Sequence, residues 1–414
     1  MGGMRKIVAR VAGGAAITIA LGLAACSITD LPMRGEIEAL GYKWTEVSRV
    51  EATTPVVGDQ FGRSVAMYGD WAAIGDNADN SYAGAVYLYS KAGGTWQQVQ
   101  KLTGSSSNDY FGTAVAIHGG YLLIGAPGAA TNSGRAYIYR FDGSSWGTSA
   151  YRTLVGPVDP AGYFGQAVAL SDLYAFVASA DHSSGQGRAY AYYRNEGTAD
   201  SWGAPSSYQT LMKASGRTAG DLFGSSIAVD GEYCVVGSPE TNVIPVTPGA
   251  AHVFQLQGGT WTQVASLTAG DPLAREFGSA VSISGSSLAV GAPAFESSYV
   301  FTLSGTVWGS GTRLYEPSGA AGNHFGASVA IYGSNLVVGS PDDSGAGSFA
   351  GSVTFFRRDS EGWKRERRST AASPVAGAQL GSASAMYGSE GLVAALGNTS
   401  PDVSGSSNFY ERVR

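Results

Sequence analysis

The sequence predicts an all-β chain folded as a seven-bladed β-propeller of four-stranded antiparallel blades. Three observations lead there. A Phe-Gly pair recurs along the chain about every 50 residues, the period expected of propeller blades. An apolar hairpin follows each pair at fixed spacing. A spare strand at one end of the repeats matches a missing strand at the other.

The pairs are Phe61-Gly62, Phe111-Gly112, Phe164-Gly165, Phe223-Gly224, Phe277-Gly278 and Phe325-Gly326, with a degenerate seventh at Leu380-Gly381. In the first six units the hairpin closes 14 residues after the Phe, at Gly75, Gly125, Ala178, Gly237, Gly291 and Gly339. Constant spacing there, with variable spacing elsewhere, marks a rigid hairpin joined by tolerant loops. Unit seven places its closing glycine three residues later, at Gly397.

Each unit carries four strand signals, A to D. In unit two, strand A is residues 113–117 and strand B is 121–124, joined by Gly119-Gly120, which suits a two-residue hairpin turn with positive φ. Strand C is aromatic and alternating, as in Ala136-Tyr137-Ile138-Tyr139. Strand D starts near a tryptophan, as at Trp96, Trp146, Trp202, Trp261, Trp308 and Trp363. These tryptophans are expected to pack between blades. Residues 44–50 read as a strand D that precedes any strand A, and the last unit stops after a strand C near 408–410. Pairing the two closes the ring and removes its exposed edges. The propeller therefore takes residues 44–414.

Composition agrees. Gly supplies 60 of 414 residues and charged residues only 14%, a mixture suited to short strands and tight turns. Hydrophobic residues, at 44%, suffice for a large core. A net charge of -6 argues against a nucleic-acid partner. Two cysteines, Cys26 and Cys234, imply no disulfide framework, and Cys234 in its apolar strand reads as an inert core thiol.

Phe-Gly, an apolar hairpin and then Gly-Ala-Pro resembles the FG-GAP repeat of the integrin α-subunit propeller and of bacterial exported proteins. Gly125-Ala126-Pro127 and Gly291-Ala292-Pro293 match fully, and Gly237-Ser238-Pro239 and Gly339-Ser340-Pro341 carry Ser for Ala. Units one, three and seven depart, with Gly75-Asp76-Asn77, Ala178-Ser179-Ala180 and Gly397-Asn398-Thr399. The resemblance implies a ligand-binding face on the side of the D–A and B–C loops. Its relatives often carry a calcium loop between strands A and B. Calcium needs six to eight oxygen ligands; the A–B connection is a tight turn in units one to six, and unit seven, expected to have three extra residues there, offers one carboxylate in Gly388-Ser389-Glu390-Gly391, so no metal or other cofactor is expected.

The N-terminus reads as an export signal. Arg5, Lys6 and Arg10 precede an apolar stretch from 11 to 25, too short for a comfortable membrane span. It ends Leu23-Ala24-Ala25-Cys26, which resembles the bacterial lipobox. Residues 1–26 are thus expected to be a lipoprotein-type signal with Cys26 lipidated, and 27–43 a tether. Ser27, where Asp would resemble an inner-membrane retention signal, favours an outer-membrane or surface destination.

Acids crowd the loop face. The D–A loops carry Glu51, Asp59, Asp109, Asp159, Asp221, Asp271, Glu276 and Glu316 against Lys213, Arg217 and Arg275. The B–C loops carry Asp76, Asp79, Asp181, Glu240, Glu296, Asp342, Asp343 and Asp402 and no Lys or Arg. The bases Arg357, Arg358, Lys364, Arg365, Arg367 and Arg368 are expected toward the opposite side. Asp76, Asp79, Asp181, Asp342 and Asp343 are the candidate ligand contacts. His182 beside Asp181, and His324 before Phe325, are the residues that invite a catalytic reading. The chain has only four histidines, no Cys/His metal spacing and no nucleophile elbow. The expectation is therefore a non-catalytic envelope protein, anchored to a membrane through Cys26, that offers the acidic loop face to a protein or glycan. The alternatives are a polymer-acting hydrolase with carboxylates on the same face and a purely structural envelope component.

Overall fold

The computed structural model describes residues 42–53, 56, 58–157, 162–195, 201–202, 208–211, 219–240, 248–397 and 405–414. Cys26, Asp159, Lys213, Arg217 and Asp402 lie outside them, as do the expected signal and nearly all of the expected tether.

Seven antiparallel sheets follow one another in the chain. Blade 1 comprises Phe61–Tyr68, Trp71–Asp76, Ala85–Ala92 and Thr95–Thr103 as strands A to D. Blade 2 comprises Ala114–His118, Tyr121–Ala126, Arg135–Arg140 and Arg152–Leu154. Blade 4 runs from Ile227–Asp230 to Thr260–Leu267 and blade 6 from Ser328–Tyr332 to Gly362–Ser369. In blades 3 and 5 the outer strand is split, with two short segments pairing the same strand C. The inner A strands touch in ring order, blade 1 to blade 7 and back to blade 1.

The ring closes as the ends of the repeat array predict. Leu380–Tyr387, Glu390–Ala395 and Ser406–Val413 supply three strands of blade 7, and Lys43–Val50 supplies the outer one, with Lys43 opposite Val413 and Val50 opposite Ser407. Trp44 is fully buried and stacks on Phe355 of blade 6 at 4.5 Å. One expectation fails in this blade. Leu380 pairs Ala395, just as Phe61 pairs Asp76, and Tyr387 faces Glu390 across Gly388-Ser389. Blade 7 therefore has the same tight A–B turn as the others, and its closing triplet is Ala394-Ala395-Leu396, without the three extra residues. A glycine three residues on, at Gly397, imitated the motif.

The repeat motif is an inter-blade joint. Each Phe-Gly sits inside a tight turn, such as the one closed by Thr113 N–H donating to the Tyr110 carbonyl at 3.1 Å. The glycine takes φ between 90° and 105° in all seven blades, where a side chain is strained. Its N–H bonds the closing position of its own blade, as Gly112 does to Gly125 O at 3.0 Å. Its carbonyl lies over the closing glycine of the preceding blade, so that a Cβ on Gly125 would meet Gly165 O at 2.0 Å. Where strand A offers serine, the hydroxyl satisfies that carbonyl, as with Ser64 and Gly112 O, Ser226 and Gly278 O, and Ser328 and Gly381 O.

The core fills the gaps between blades. The six Phe side chains are at most 2% exposed and meet strand-C rings, as Phe61 meets Tyr87 and Phe277 meets Tyr299. The strand-D tryptophans lean on the preceding blade, as expected. Trp96 stacks on Phe409, Trp202 meets Tyr121 edge-on, and Trp261 meets Tyr174 and Phe176. Cys234 is fully buried and free, and burial pushes its thiol well above its ordinary pKa, so it stays protonated.

Candidate functional site: the loop face

Strand direction puts the D–A and B–C loops on one face and the A–B and C–D turns on the other. The loop face is built on unusual backbone. The residue before each Phe-Gly is left-handed in six blades: Tyr110, Tyr163, Leu222, Glu276, His324 and Gln379, with φ between 49° and 57°. The B–C loops of blades 1 to 3 each contain a short left-handed turn, at Asn80-Ser81-Tyr82, Ala130-Thr131-Asn132 and Ser183-Ser184-Gly185. Left-handed backbone costs a non-glycine residue about 1–2 kcal/mol, so the neighbouring blade must hold it. It does so through Tyr110 N–H to Tyr82 O at 2.9 Å and Tyr163 N–H to Asn132 O at 2.9 Å.

The structure separates the five candidate acids into three places. Asp76 and Asp79 belong to blade 1, where their carboxylate oxygens come within 4.8 Å of each other and of Asp59. Asp76 is fully buried; its Oδ1 accepts the Gln60 N–H at 2.9 Å, while Oδ2 has no hydrogen-bond partner among the described residues. Burial first, then the Asp59 and Asp79 carboxylates, push Asp76 up to about 7. Burial likewise raises Asp59, whose carboxylate caps the Val56 N–H. Asp79 accepts from Lys101 Nζ at 2.5 Å and from Tyr87 OH at 3.2 Å.

Asp342 and Asp343 belong to blade 6 and face different neighbours. Asp342 lies 2.5 Å from His324 Nδ1 and accepts from Gln379 Nε2 at 2.9 Å. Asp343 is 4% exposed and is bound by Ser352 Oγ, Gly345 N–H and Arg368. Burial pushes its carboxyl up, but these three donors outweigh that and hold it below the usual range. Asp181, in blade 3, accepts from Gln166 Nε2 at 2.5 Å.

Three bases that complete the face were not part of the expected site. Lys101, Arg365 and Arg368 all lie on D strands and reach inward to Asp79, Glu316 and Asp343. Arg365 and Arg368 thus turn toward the loop face rather than away from it, which corrects the expected segregation of charge. Glu316 also accepts from Ser318 and Thr354. Beside it lies a recess of about 160 Å³ lined by Glu296, Glu316, Asn323, Phe325 and Ser340. There the Glu296 carboxylate caps the N–H groups of Gly322, His324 and Phe325.

The comparisons place this architecture in a family. The profile described as FG-GAP repeat matches residues 44–89, 96–139, 208–254, 261–301 and 308–356, more than half of the chain, and the chain belongs to that family. Each match runs D-A-B-C, so one sequence repeat spans two blades. Units three and seven, whose motifs depart most, are unmatched. No curated protein matches. Among solved structures, the β-propeller domain of Cps50 (Swd1) from Myceliophthora thermophila superposes with a TM-score of 0.56 at 12% identity, over 89% of this chain and 99% of that one. That likeness concerns the fold.

Proposed function

We propose that this protein is a non-catalytic binding module of a cell envelope, held to the membrane by lipid on Cys26, whose loop face takes a protein or glycan. One observation carries the reading. Around that face a fixed, strained backbone position recurs in six blades with unrelated side chains: Tyr110, Tyr163, Leu222, Glu276, His324 and Gln379. A scaffold that holds position constant and lets chemistry vary is the arrangement of a recognition surface. The acids contribute less as free charge than their number implies, because Lys101, Arg365 and Arg368 neutralise three of them from within.

The tether would join the propeller at Lys43, at the C–D end of blade 7. This anchoring would turn the loop face away from the bilayer. Two measurements test the reading. Cys26→Ser should abolish incorporation of labelled fatty acid. Glycan-array and envelope-protein capture by the wild type should be lost in Tyr110→Ala/Tyr163→Ala with Tm unchanged; capture that survives these changes sinks the loop-face assignment.

The hydrolase alternative has one observation in its favour, the convergence of Asp59, Asp76 and Asp79 with one carboxyl near neutrality. All three residues are under 9% exposed, and Asp79 already holds an ammonium group. The cluster therefore offers no room beside it for a polymer.

A further inference from the structure

The opposite end of the propeller axis carries a second, unrelated constellation. There the A–B turns surround the mouth of the ring of inner strands. Four successive blades each contribute one aromatic ring from the last residue of strand A: Tyr332, Tyr387, Tyr68 and His118. Their centroids are 4.9, 5.1 and 4.4 Å apart in that order. The arc continues into carboxylates. Asp172 of blade 3 lies 3.0 Å from His118 Nε2, and Asp230 of blade 4 accepts the Gly285 N–H at 2.6 Å.

These groups face solvent. Tyr332 is 38% exposed and the Asp172 side chain 80%. The ring is not needed to finish the fold, because blades 4 and 5 build the same turn with Asp230 and Ser284 at the equivalent position. No Lys or Arg occurs in any of the seven A–B turns, which instead carry Asp70, Asp172 and Glu232. Burial raises the Tyr68 phenol, followed by Tyr387 and Asp172; burial also raises Tyr332, followed by Tyr387, Tyr68 and Asp230. Asp172 thus acts on Tyr68 and Asp230 on Tyr332, at the two ends of the arc.

We propose that this axial mouth binds an organic cation, an alkylammonium or guanidinium group, on the tyrosine arc with Asp172 and Asp230 as counter-charges. Ring faces attract such cations within about 6 Å of the centroid. A hard metal ion would need six or more oxygen ligands, whereas aromatic rings hold four of the seven equivalent positions around this mouth, Tyr68, His118, Tyr332 and Tyr387. An anion would meet like charge. The source of the cation is a quaternary ammonium metabolite or the basic side chain of a protein partner, and the test separates them.

Calorimetric titration of the full-length protein would use choline, Nα-acetyl-arginine amide and 3,3-dimethylbutan-1-ol, the neutral isostere of choline. At least one cation should bind saturably, with the isostere weaker by about tenfold or more. Choline alone points to a small metabolite, and the arginine amide alone to a protein side chain. Tyr387→Ala should weaken the cation by about tenfold while Tyr387→Phe keeps it within about twofold, since the ring face does the binding. Asp230→Asn should weaken it and flatten its salt dependence. If Tyr387→Ala lowers Tm, Tyr332→Ala replaces it. The proposal is overturned if neither cation saturates, if the isostere binds equally, or if a folded alanine variant binds as the wild type does. Such a failure leaves the loop-face reading intact, because the two sites lie on opposite faces.

Discussion

Asp76 and Asp343 show how one residue type serves opposite ends within a single fold. Asp76 takes the place of the small residue in Gly-Ala-Pro; Ser238, at the same position in blade 4, merely bonds the Asp221 carbonyl. In blade 1 that position brings a carboxylate into a buried cluster, and its pKa rises from 3.8 to about 7. The folded state then holds a proton that the unfolded state releases, so the group favours folding at low pH and loses that contribution as pH rises from about 4 through 7. Asp76→Asn keeps the Gln60 bond and gives Oδ2's place an N–H donor facing Asp59 and Asp79. It should raise the free energy of unfolding more at pH 8 than at pH 5, by at most ~4 kcal/mol; an equal gain at both pH values would refute the buried-charge account. Asp343 has the reverse sign. Its folded pKa is depressed, so its contribution is present above pH 4 and is lost as pH falls below that range. Gly125→Ala tests the inter-blade joint at the same scale. With Gly165 O at 2.0 Å from the new Cβ, the substitution should cost about 1–3 kcal/mol in urea unfolding. Gly119→Ala, in an open hairpin turn, should suffer only the milder penalty of its positive φ.

The elements explain which parts of the site the sequence could show. Strands A and B were legible because their spacing is fixed and their turn is short, and the tryptophans located strand D. The partners of the acids were not legible. Lys101 lies 22 residues from Asp79 and Arg368 lies 25 from Asp343; only the pairing of strand D on strand C brings them within reach. Asp59 was visible as a loop acid, but its meeting with Asp76 and Asp79 depends on the turn before Phe61. In blade 7 the sequence pattern misleads because Gly397, at the wrong register, imitates the closing glycine while the hairpin keeps its usual length. The B–C loops offer a direct test of stored strain. Ala130 adopts φ 54°, ψ 45° with no side-chain reason to do so, and Ala130→Gly should stabilise the protein by about 0.5–1 kcal/mol. Arg368→Ala should destabilise it by about 2–3 kcal/mol by leaving Asp343 buried without its cation, and Asp343→Asn in the same chain should return part of that loss.

At the scale of the molecule, closure is the property that the repeat array most strongly encoded. The number of blades follows from counting the Phe-Gly copies, and the clasp from the strands at the two ends. Deleting residues 43–50 should leave Ser406–Val413 as a bare edge and unseat Trp44 from Phe355. Such a protein should melt well below the wild type and run as oligomers on gel filtration; a monomer of unchanged Tm would show that the clasp is dispensable. The axial mouth, by contrast, was invisible in the sequence, since Tyr332, Tyr387, Tyr68 and His118 are far apart in the chain and meet only when the ring is shut.

The clasp also sets a clock. Lys43–Val50 precedes its partner, Ser406–Val413, by the whole repeat array. While the intervening repeats are being made, that strand has no mate and the seam stays open. Shutting the ring then waits on that single pairing, a contact between strands far apart in the chain.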